Sequence, residues 1–344
     1  RAGSGIMGAY HELNAWERRY YRAREFFLRR LDLPFLWYRF KWNYAHTLDW
    51  VLPFPTNIDI EPTGLCNLKC VMCPQSFETM PADESQMINM DLARKVIDEA
   101  AANGVYSIKF TWRGEPALHK GLVDMVRYAK AKHVPEVQFT TNGTPYTGQK
   151  IRDLIEAGLD RIIFSMDGAR KETAERIRVG LNYDKAVENI KTFHRLRTEM
   201  GRRKPFIRIQ MVRMKENAGE VQEFIEMWKP YVDDIRISDV TDRGQGGQLA
   251  VGDQVAVGRR RCSQPWQRMM VSPNGEVLPC CADWRKEWVV GNANAQSLRE
   301  IWQGPKMEAM RELQREMRLD DVSPCKACFD HQSYVWERVP AKPQ

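Results

Sequence analysis

From Pro53 onward, short β-branched or apolar runs alternate with stretches whose apolar residues recur every three or four positions, the pattern of a parallel sheet covered by helices. This pattern predicts strands at Asn57–Glu61, Ser107–Thr111, Glu136–Thr140, Arg161–Ser165, Phe206–Val212 and Asp234–Ser238. Between them it predicts helices at Asp91–Ala102, Leu122–Lys132, Gln149–Ala157, Asp184–Thr198 and Ala218–Lys229. Six such steps in this order describe an α/β chain whose residues 53–240 form a partial (β/α)6 barrel of the TIM type.

Thr241–Gly258 is rich in glycine and polar residues and reads as a connection, so 241–261 is taken as a linker and 262–344 as a second domain. There, Pro273-Asn274-Gly275 between Met269–Ser272 and Glu276–Leu278 predicts a β-hairpin, followed by one helix over roughly Leu298–Met317. Residues 1–52 differ in character, with Trp16, Tyr20, Phe26, Trp37, Tyr38 and Trp42 interleaved with Arg18, Arg22, Arg24 and Arg29. Such an aromatic, basic extension suits packing against the barrel or a second subunit; contact with a membrane surface or a bulky ligand is the alternative. Arg1–Ile6, ahead of Met7, reads as a tag remnant and stays outside the fold argument.

With 344 residues the chain holds one large domain and a smaller one, and 28% charged against 43% hydrophobic residues is an ordinary globular balance. The formal net charge of +7 is spread without a long Lys/Arg block, which argues against a nucleic-acid partner. No apolar run approaches the ~20 residues that cross a bilayer, and no secretory signal opens the chain, so a cytoplasmic protein is expected. In a reducing compartment, grouped cysteines favour metal over disulfides. The eight cysteines here fall into two groups, 66, 70 and 73, then 262, 280, 281, 325 and 328.

The first group, in Glu61-Pro-Thr-Gly-Leu-Cys66-Asn-Leu-Lys-Cys70-Val-Met-Cys73-Pro74, has C-x3-C-x2-C spacing and follows the first strand, at the edge where barrel active sites are assembled. Three thiolates can hold three irons of a [4Fe–4S] cube and leave the fourth open, whereas a structural zinc wants four protein ligands. At these residues the chain resembles the radical S-adenosylmethionine (radical SAM) superfamily. The resemblance implies that Cys66, Cys70 and Cys73 hold a cube whose open iron chelates S-adenosylmethionine. One electron then cleaves the cofactor to a 5′-deoxyadenosyl radical that abstracts hydrogen.

The same resemblance extends to Trp112-Arg113-Gly114-Glu115-Pro116, which looks like the family's Gly-Gly-Glu-Pro motif with Arg113 in place of the first glycine, and to Thr140-Thr141-Asn142-Gly143 and Ser165-Met166-Asp167-Gly168. It implies cofactor contacts from Met72, Gly114, Glu115, Pro116, Asn142, Ser165, Arg178 and Met211, with Ser165 and Arg178 at the ribose or methionine carboxylate and Met211 and Met72 at the adenine. A Ser-x-Asp turn caps a helix as readily as it binds a cofactor, so the bland reading stands beside each role.

Cys262, Cys280, Cys325 and Cys328 follow a C-x17-C-x44-C-x2-C pattern that can close a second [4Fe–4S] cluster or a tetrahedral zinc site. This part resembles the shortened SPASM, or twitch, domain of radical SAM enzymes, with Gly291-Asn292 and Ser297–Trp302, and its spacing resembles that of the 2-deoxy-scyllo-inosamine dehydrogenase group. Two [4Fe–4S] clusters, S-adenosylmethionine, a flavodoxin- or ferredoxin-type reductant and a small or glycosidic substrate are what the resemblance implies. Hydrogen would leave a hydroxyl-bearing carbon of a sugar or cyclitol in natural-product or glycan biosynthesis.

Cys281 is left over. As a hydrogen-atom donor it would make the enzyme an epimerase, which is narrowly the favoured expectation; as a buried space-filler or substitute ligand it would have no such role. Oxidation of the secondary alcohol to a ketone, with the auxiliary cluster taking the electron, is the alternative. Peptide modification is a further one, for which the extension is short of a leader-recognition module. A metal-stapled binding protein is the non-enzyme reading.

Overall fold

The computed structural model describes residues 33–78, 86–240, 249, 254–259, 261–326, 328 and 332–336. After helix α1 (Leu33–Tyr44), six parallel strands lie side by side in chain order: β1 (Asn57–Ile60), β2 (Ser107–Phe110), β3 (Glu136–Thr141), β4 (Arg161–Ser165), β5 (Phe206–Arg213) and β6 (Asp234–Asp239). Helices α2 (Met90–Ala102), α3 (Leu122–Ala131), α4 (Gly148–Glu156), α5 (Lys171–Ile177), α6 (Tyr183–Glu199) and α7 (Val221–Trp228) cover the sheet. Every predicted strand is present to within a residue. Among the helices, α5 was not predicted, because seven residues are too short for periodicity to register, and Ala218–Glu220 winds as a 3-10 turn ahead of α7.

Along these strands apolar and polar residues alternate, although both faces are covered. Ile58, Ile60, Ile108, Phe110, Val137, Phe139, Ile162, Phe164, Ile207, Ile209 and Met211 belong to one continuous apolar core under the helices. The alternate positions, among them Asp59, Lys109, Gln138, Arg208 and Arg236, face the concave side of the sheet. A TIM barrel fills this space with branched apolar layers; here it is a polar chamber.

The chamber's charges are largely paired: Arg268 with Asp59 at 2.7 Å, Arg161 with Glu136 at 3.7 Å, and Arg208 with Asp234. Helix α1 closes the N-terminal end, its Tyr38 stacked on Tyr106 with ring centroids 4.1 Å apart and Trp42 lying 4.8 Å from the Arg268 guanidinium. Its other face leaves Leu33, Trp37, Phe40 and Tyr44 exposed. Part of the aromatic extension therefore packs against the barrel; what was expected of residues 1–32 lies outside the described residues.

The expected hairpin is present as β7 (Arg268–Val271) and β8 (Glu276–Leu278), with Gly275 at φ +87° in the turn. It does not stand apart from the barrel. β7 runs parallel to β1, Asn57 opposite Arg268 and Ile60 opposite Val271, so β7, β8 and a short β9 (Gly291–Asn292) extend the sheet in the order β9-β8-β7-β1-β2-β3-β4-β5-β6.

The single helix expected over Leu298–Met317 is two, α8 (Leu298–Trp302) and α9 (Pro305–Arg315). Pro305 cannot continue a helix but starts one well, and a Cβ on Gly304 would sit 2.8 Å from the Glu300 carbonyl. Within the expected linker, residues 254–259 form a strand paired antiparallel with 332–336. Among the described residues no helix is long and apolar enough to cross a membrane.

Candidate active site

The loop that carries Cys66, Cys70 and Cys73 leaves the end of β1 and is fastened to the barrel rim by backbone. Lys69 and Cys70 pair antiparallel with Val179 and Arg178, and the Val71 N–H donates to the Ile177 carbonyl at 2.9 Å. Ser76 Oγ donates to the Cys70 carbonyl at 2.7 Å and Gln75 Nε2 to the Gly64 carbonyl at 2.6 Å. Gly114 is required by this approach: a Cβ there would lie 2.0 Å from the Thr63 carbonyl oxygen and 2.6 Å from that of Leu65.

The rim motifs tie to each other through Glu115. Its buried carboxylate accepts from Thr141 Oγ1 at 2.7 Å, the Asn142 N–H at 2.7 Å and the Ala117 N–H at 3.0 Å, while burial pushes its carboxyl above the usual range. Asn142 Nδ2 in turn donates to Asn67 Oδ1, inside the cysteine loop, at 2.8 Å.

Arg113, which replaces a family glycine, has its own compensation. It donates to Glu61 from its backbone N–H at 3.1 Å, from Nε at 3.0 Å and from Nη2 at 2.6 Å, with both residues buried. The glycine-like backbone falls one residue earlier, on Trp112 at φ +152°. The Trp112 ring lies 4.0 Å from the Arg113 guanidinium, and its Nε1 donates to the Cys281 carbonyl at 2.8 Å.

Together these elements enclose a cavity of about 370 Å³. Cys66, Cys70, Cys73, Met72, Gly114, Glu115, Asn142, Ser165 and Arg178 line it, as does Trp112. Two expected contacts do not. Met211 is fully buried in the apolar core because period-two alternation turns it to the helices, and its neighbour Val212 faces the cavity instead. Pro116 is buried in a 3-10 turn, Pro116–Leu118, where it shapes the rim.

Arg178 is already engaged. Its Nη2 pairs with Asp167 at 2.7 Å and its Nη1 reaches Cys70 Sγ at 3.7 Å, while its buried Nε makes no hydrogen bond among the described residues. Asp167 also accepts the Val212 N–H at 2.7 Å, which makes it the positioning residue for Arg178, a role that Ser165-Met166-Asp167-Gly168 does not announce in the sequence.

The second group assembles from three distant segments. Burial, followed by the proximity of Cys281, Cys262, Cys328 and Cys325, raises the Cys280 thiol well above its usual range, so all five sulfurs share one neighbourhood. Gln314 on α9 clasps two of them, accepting from the Cys262 N–H at 2.9 Å and donating to Cys325 Sγ at 3.4 Å. Nothing in the sequence pattern marks Gln314 beyond its place on the buried side of a helix. Among the described residues no three His, Cys, Asp or Glu side chains are placed to hold one metal ion. A cube asks for wider spacing, since each thiolate takes a different iron.

Comparison with known proteins decides the family. Residues 60–227 match the model of the radical SAM superfamily, and residues 262–329 that of the SPASM iron–sulfur cluster-binding domain. The chain belongs to the radical SAM superfamily.

It spans about half the length of the first curated relatives it matches. One is the tungsten-containing aldehyde ferredoxin oxidoreductase cofactor-modifying protein of Pyrococcus furiosus, 35% identical over 168 residues, 48% of this chain and 45% of that protein. A longer match is to the S-adenosyl-L-methionine-dependent 2-deoxy-scyllo-inosamine dehydrogenase of Niallia circulans, 23% identical over 274 residues, 79% of this chain and 91% of that one. Among solved structures, BtrN in complex with AdoMet and 2-DOIA aligns with TM-score 0.56 at 20% identity over 80% of this chain and 93% of its own. SuiB of Streptococcus suis bound to S-adenosylmethionine aligns with TM-score 0.64 at 16% identity over 76% and 69%.

The residues of this radical SAM protein fit the groups its family uses. Burial pushes the Cys66 thiol up to about 12 and the Cys70 thiol above its usual range, so the bare loop holds neutral thiols and needs a bound cation's charge to become thiolates. The three sulfurs open on one wall of a cavity whose size suits a nucleoside-sized ligand.

Proposed function

We propose that this radical SAM protein oxidises a hydroxyl-bearing carbon of a sugar or cyclitol to a ketone. The observation that carries the reading is the cavity beside the first group of thiols, whose wall carries Thr111, Thr140, Ser238 and Asp239, donors and acceptors suited to a polyol. Cys66, Cys70 and Cys73 would hold the cluster whose open iron binds S-adenosylmethionine, with Met72, Gly114, Asn142 and Ser165 around the nucleoside. That pair supplies a hydrogen-abstracting radical when loaded and reduced by a flavodoxin- or ferredoxin-type protein. Cys262, Cys280, Cys325 and Cys328 would hold a second [4Fe–4S] cluster that takes the electron released as the ketone forms.

Oxidation is preferred to the epimerisation favoured by the spare thiol alone, because the similarity to a dehydrogenase runs over 79% of this chain and 91% of that relative. Epimerisation keeps one supporting observation: Cys281 is held by its backbone against Trp112, a wall residue of the cavity. Incubating the anaerobically reconstituted protein with 2-deoxy-scyllo-inosamine and a panel of glycosides in deuterated water tests the choice. A ketone with no solvent deuterium is expected; one deuterium on an inverted carbon would replace oxidation with epimerisation.

A further inference from the structure

Helix α1 is apolar on two sides, and the barrel covers one of them. Tyr38 and Ala45 are buried, and Trp42 lies against Arg268 at the N-terminal end of the barrel, its carbonyl accepting from Gln267 Nε2 at 2.6 Å. Leu33, Trp37, Phe40 and Tyr44, spaced four, three and four residues apart, fall together on the other side. Leu33 is 69% exposed and Trp37 53%, and in the turn after the helix Leu48 is 62% exposed. Ring contacts make these residues one patch: Trp37 stacks on Phe40 with centroids 5.5 Å apart, Phe40 meets Tyr44 at 5.1 Å, and Trp37 meets Trp50 at 6.0 Å. An exposed apolar patch of this kind marks a contact surface.

The charge beside the patch has one sign. Asp49 is the sole acidic residue in the sequence from 33 to 50, and it pairs with Arg315 at 2.9 Å and lies 3.7 Å from Arg261. Arg39 and Lys41 come from α1 itself, the Lys41 amine 5.9 Å from the centroid of the Trp37 ring. The sequence just ahead, residues 18–30, holds six arginines against one acidic residue, with Tyr20, Tyr21, Phe26 and Phe27 among them.

We propose that the exposed face of α1 docks this protein on an anionic membrane surface. Trp and Tyr settle at the boundary between headgroups and acyl chains, and Lys and Arg beside them meet the lipid phosphates while their stems lie on apolar surface. A second copy of the chain fits less well, because a patch meeting itself would bring the same positive charges together. At twelve residues α1 is too short to cross a bilayer, so it lies in the interface. The cavity is at the opposite, C-terminal end of the strands, so docking leaves it uncovered. The proposal does not depend on which product the enzyme makes.

Flotation of the full chain with vesicles of phosphatidylcholine, alone or mixed with phosphatidylserine, tests it. Wild type should bind the anionic vesicles about tenfold more tightly than the neutral ones, with the preference shrinking as salt rises. Arg39→Gln/Lys41→Gln should lose that preference, and Trp37→Ser/Phe40→Ser should weaken binding to the anionic vesicles by about tenfold. Both variants should form 5′-deoxyadenosine at the wild-type rate, since none of the four side chains lines the cavity. Wild type that binds neither vesicle, or both equally, would overturn the proposal. So would unchanged binding in Trp37→Ser/Phe40→Ser, which would put the lipid contact elsewhere in the chain. A wild-type dimer that this variant dissociates, with no vesicle binding, would replace the membrane by a second copy.

Discussion

The two cysteine groups are built in opposite ways. Cys66, Cys70 and Cys73 lie within eight residues of one another on a loop fastened by backbone hydrogen bonds to β-strand ends already fixed by the barrel. Cys262, Cys280, Cys325 and Cys328 are gathered from a hairpin, a helix-flanking turn and the segment after α9, with Gln314 as the clasp. A local loop on a rigid rim can leave one coordination position open and remain shaped. A site that closes long loops gains its order from its ligand and leaves no vacancy, because every thiolate is needed to hold the segments together. The difference fits the proposed division of labour, in which the first group would bind a cofactor and the second would pass electrons.

The largest effect that separates the two comes from removing single sulfurs. Cys66→Ala should abolish 5′-deoxyadenosine formation, a loss of at least 100-fold, while Cys280→Ala should keep cofactor cleavage, lose about four irons and lose ketone. Iron analysis and product chromatography on anaerobically reconstituted protein read both. Cleavage surviving in the first variant, or lost in the second, would erase the division.

An intermediate effect probes the rim. Glu61→Ala leaves the Arg113 guanidinium buried without its carboxylate and should destabilise the barrel by about 3–5 kcal/mol, with Glu61→Ala/Arg113→Ala costing less than the sum of the single changes. Denaturant titration of the four proteins measures the coupling; additive losses would mean the pair does not act as a unit.

The smallest effect concerns the clasp. Gln314→Leu removes an acceptor for Cys262 N–H and a donor to Cys325 and should cost about 1–2 kcal/mol. Chelation should then expose residues 262–326 to hydrogen exchange faster than in wild type while the barrel strands stay protected. Equal loss of protection in β2–β5 would mean that the two regions are not independent in this way.

What could be read from the chain was what has a short period or a short spacing. The six strands and most helices followed from alternation and from recurrence every three or four residues, and the cysteine loop from C-x3-C-x2-C. Contacts between distant segments left no such trace. Asp59 meets Arg268, and Trp112 meets Cys281, across more than 150 residues of chain, and neither pair has a local signature.

Two misses were legible in retrospect: Gly304-Pro305 marks the break between α8 and α9, and strand alternation places Met211 on the helix side once Val212 is set at the cavity. The parallel pairing of β7 with β1 was not, because a hairpin predicts its own partner and says nothing about the outer edge it presents.

The proposed division of labour requires the first group to keep an open iron and the second to be closed. Electron paramagnetic resonance of the reduced, reconstituted protein with and without S-adenosylmethionine tests this most directly. The cofactor should shift the signal of one cluster, the shift should persist in Cys280→Ala, and it should vanish in Cys66→Ala/Cys70→Ala/Cys73→Ala. A signal unmoved by the cofactor, or moved equally in the triple variant, would contradict the account.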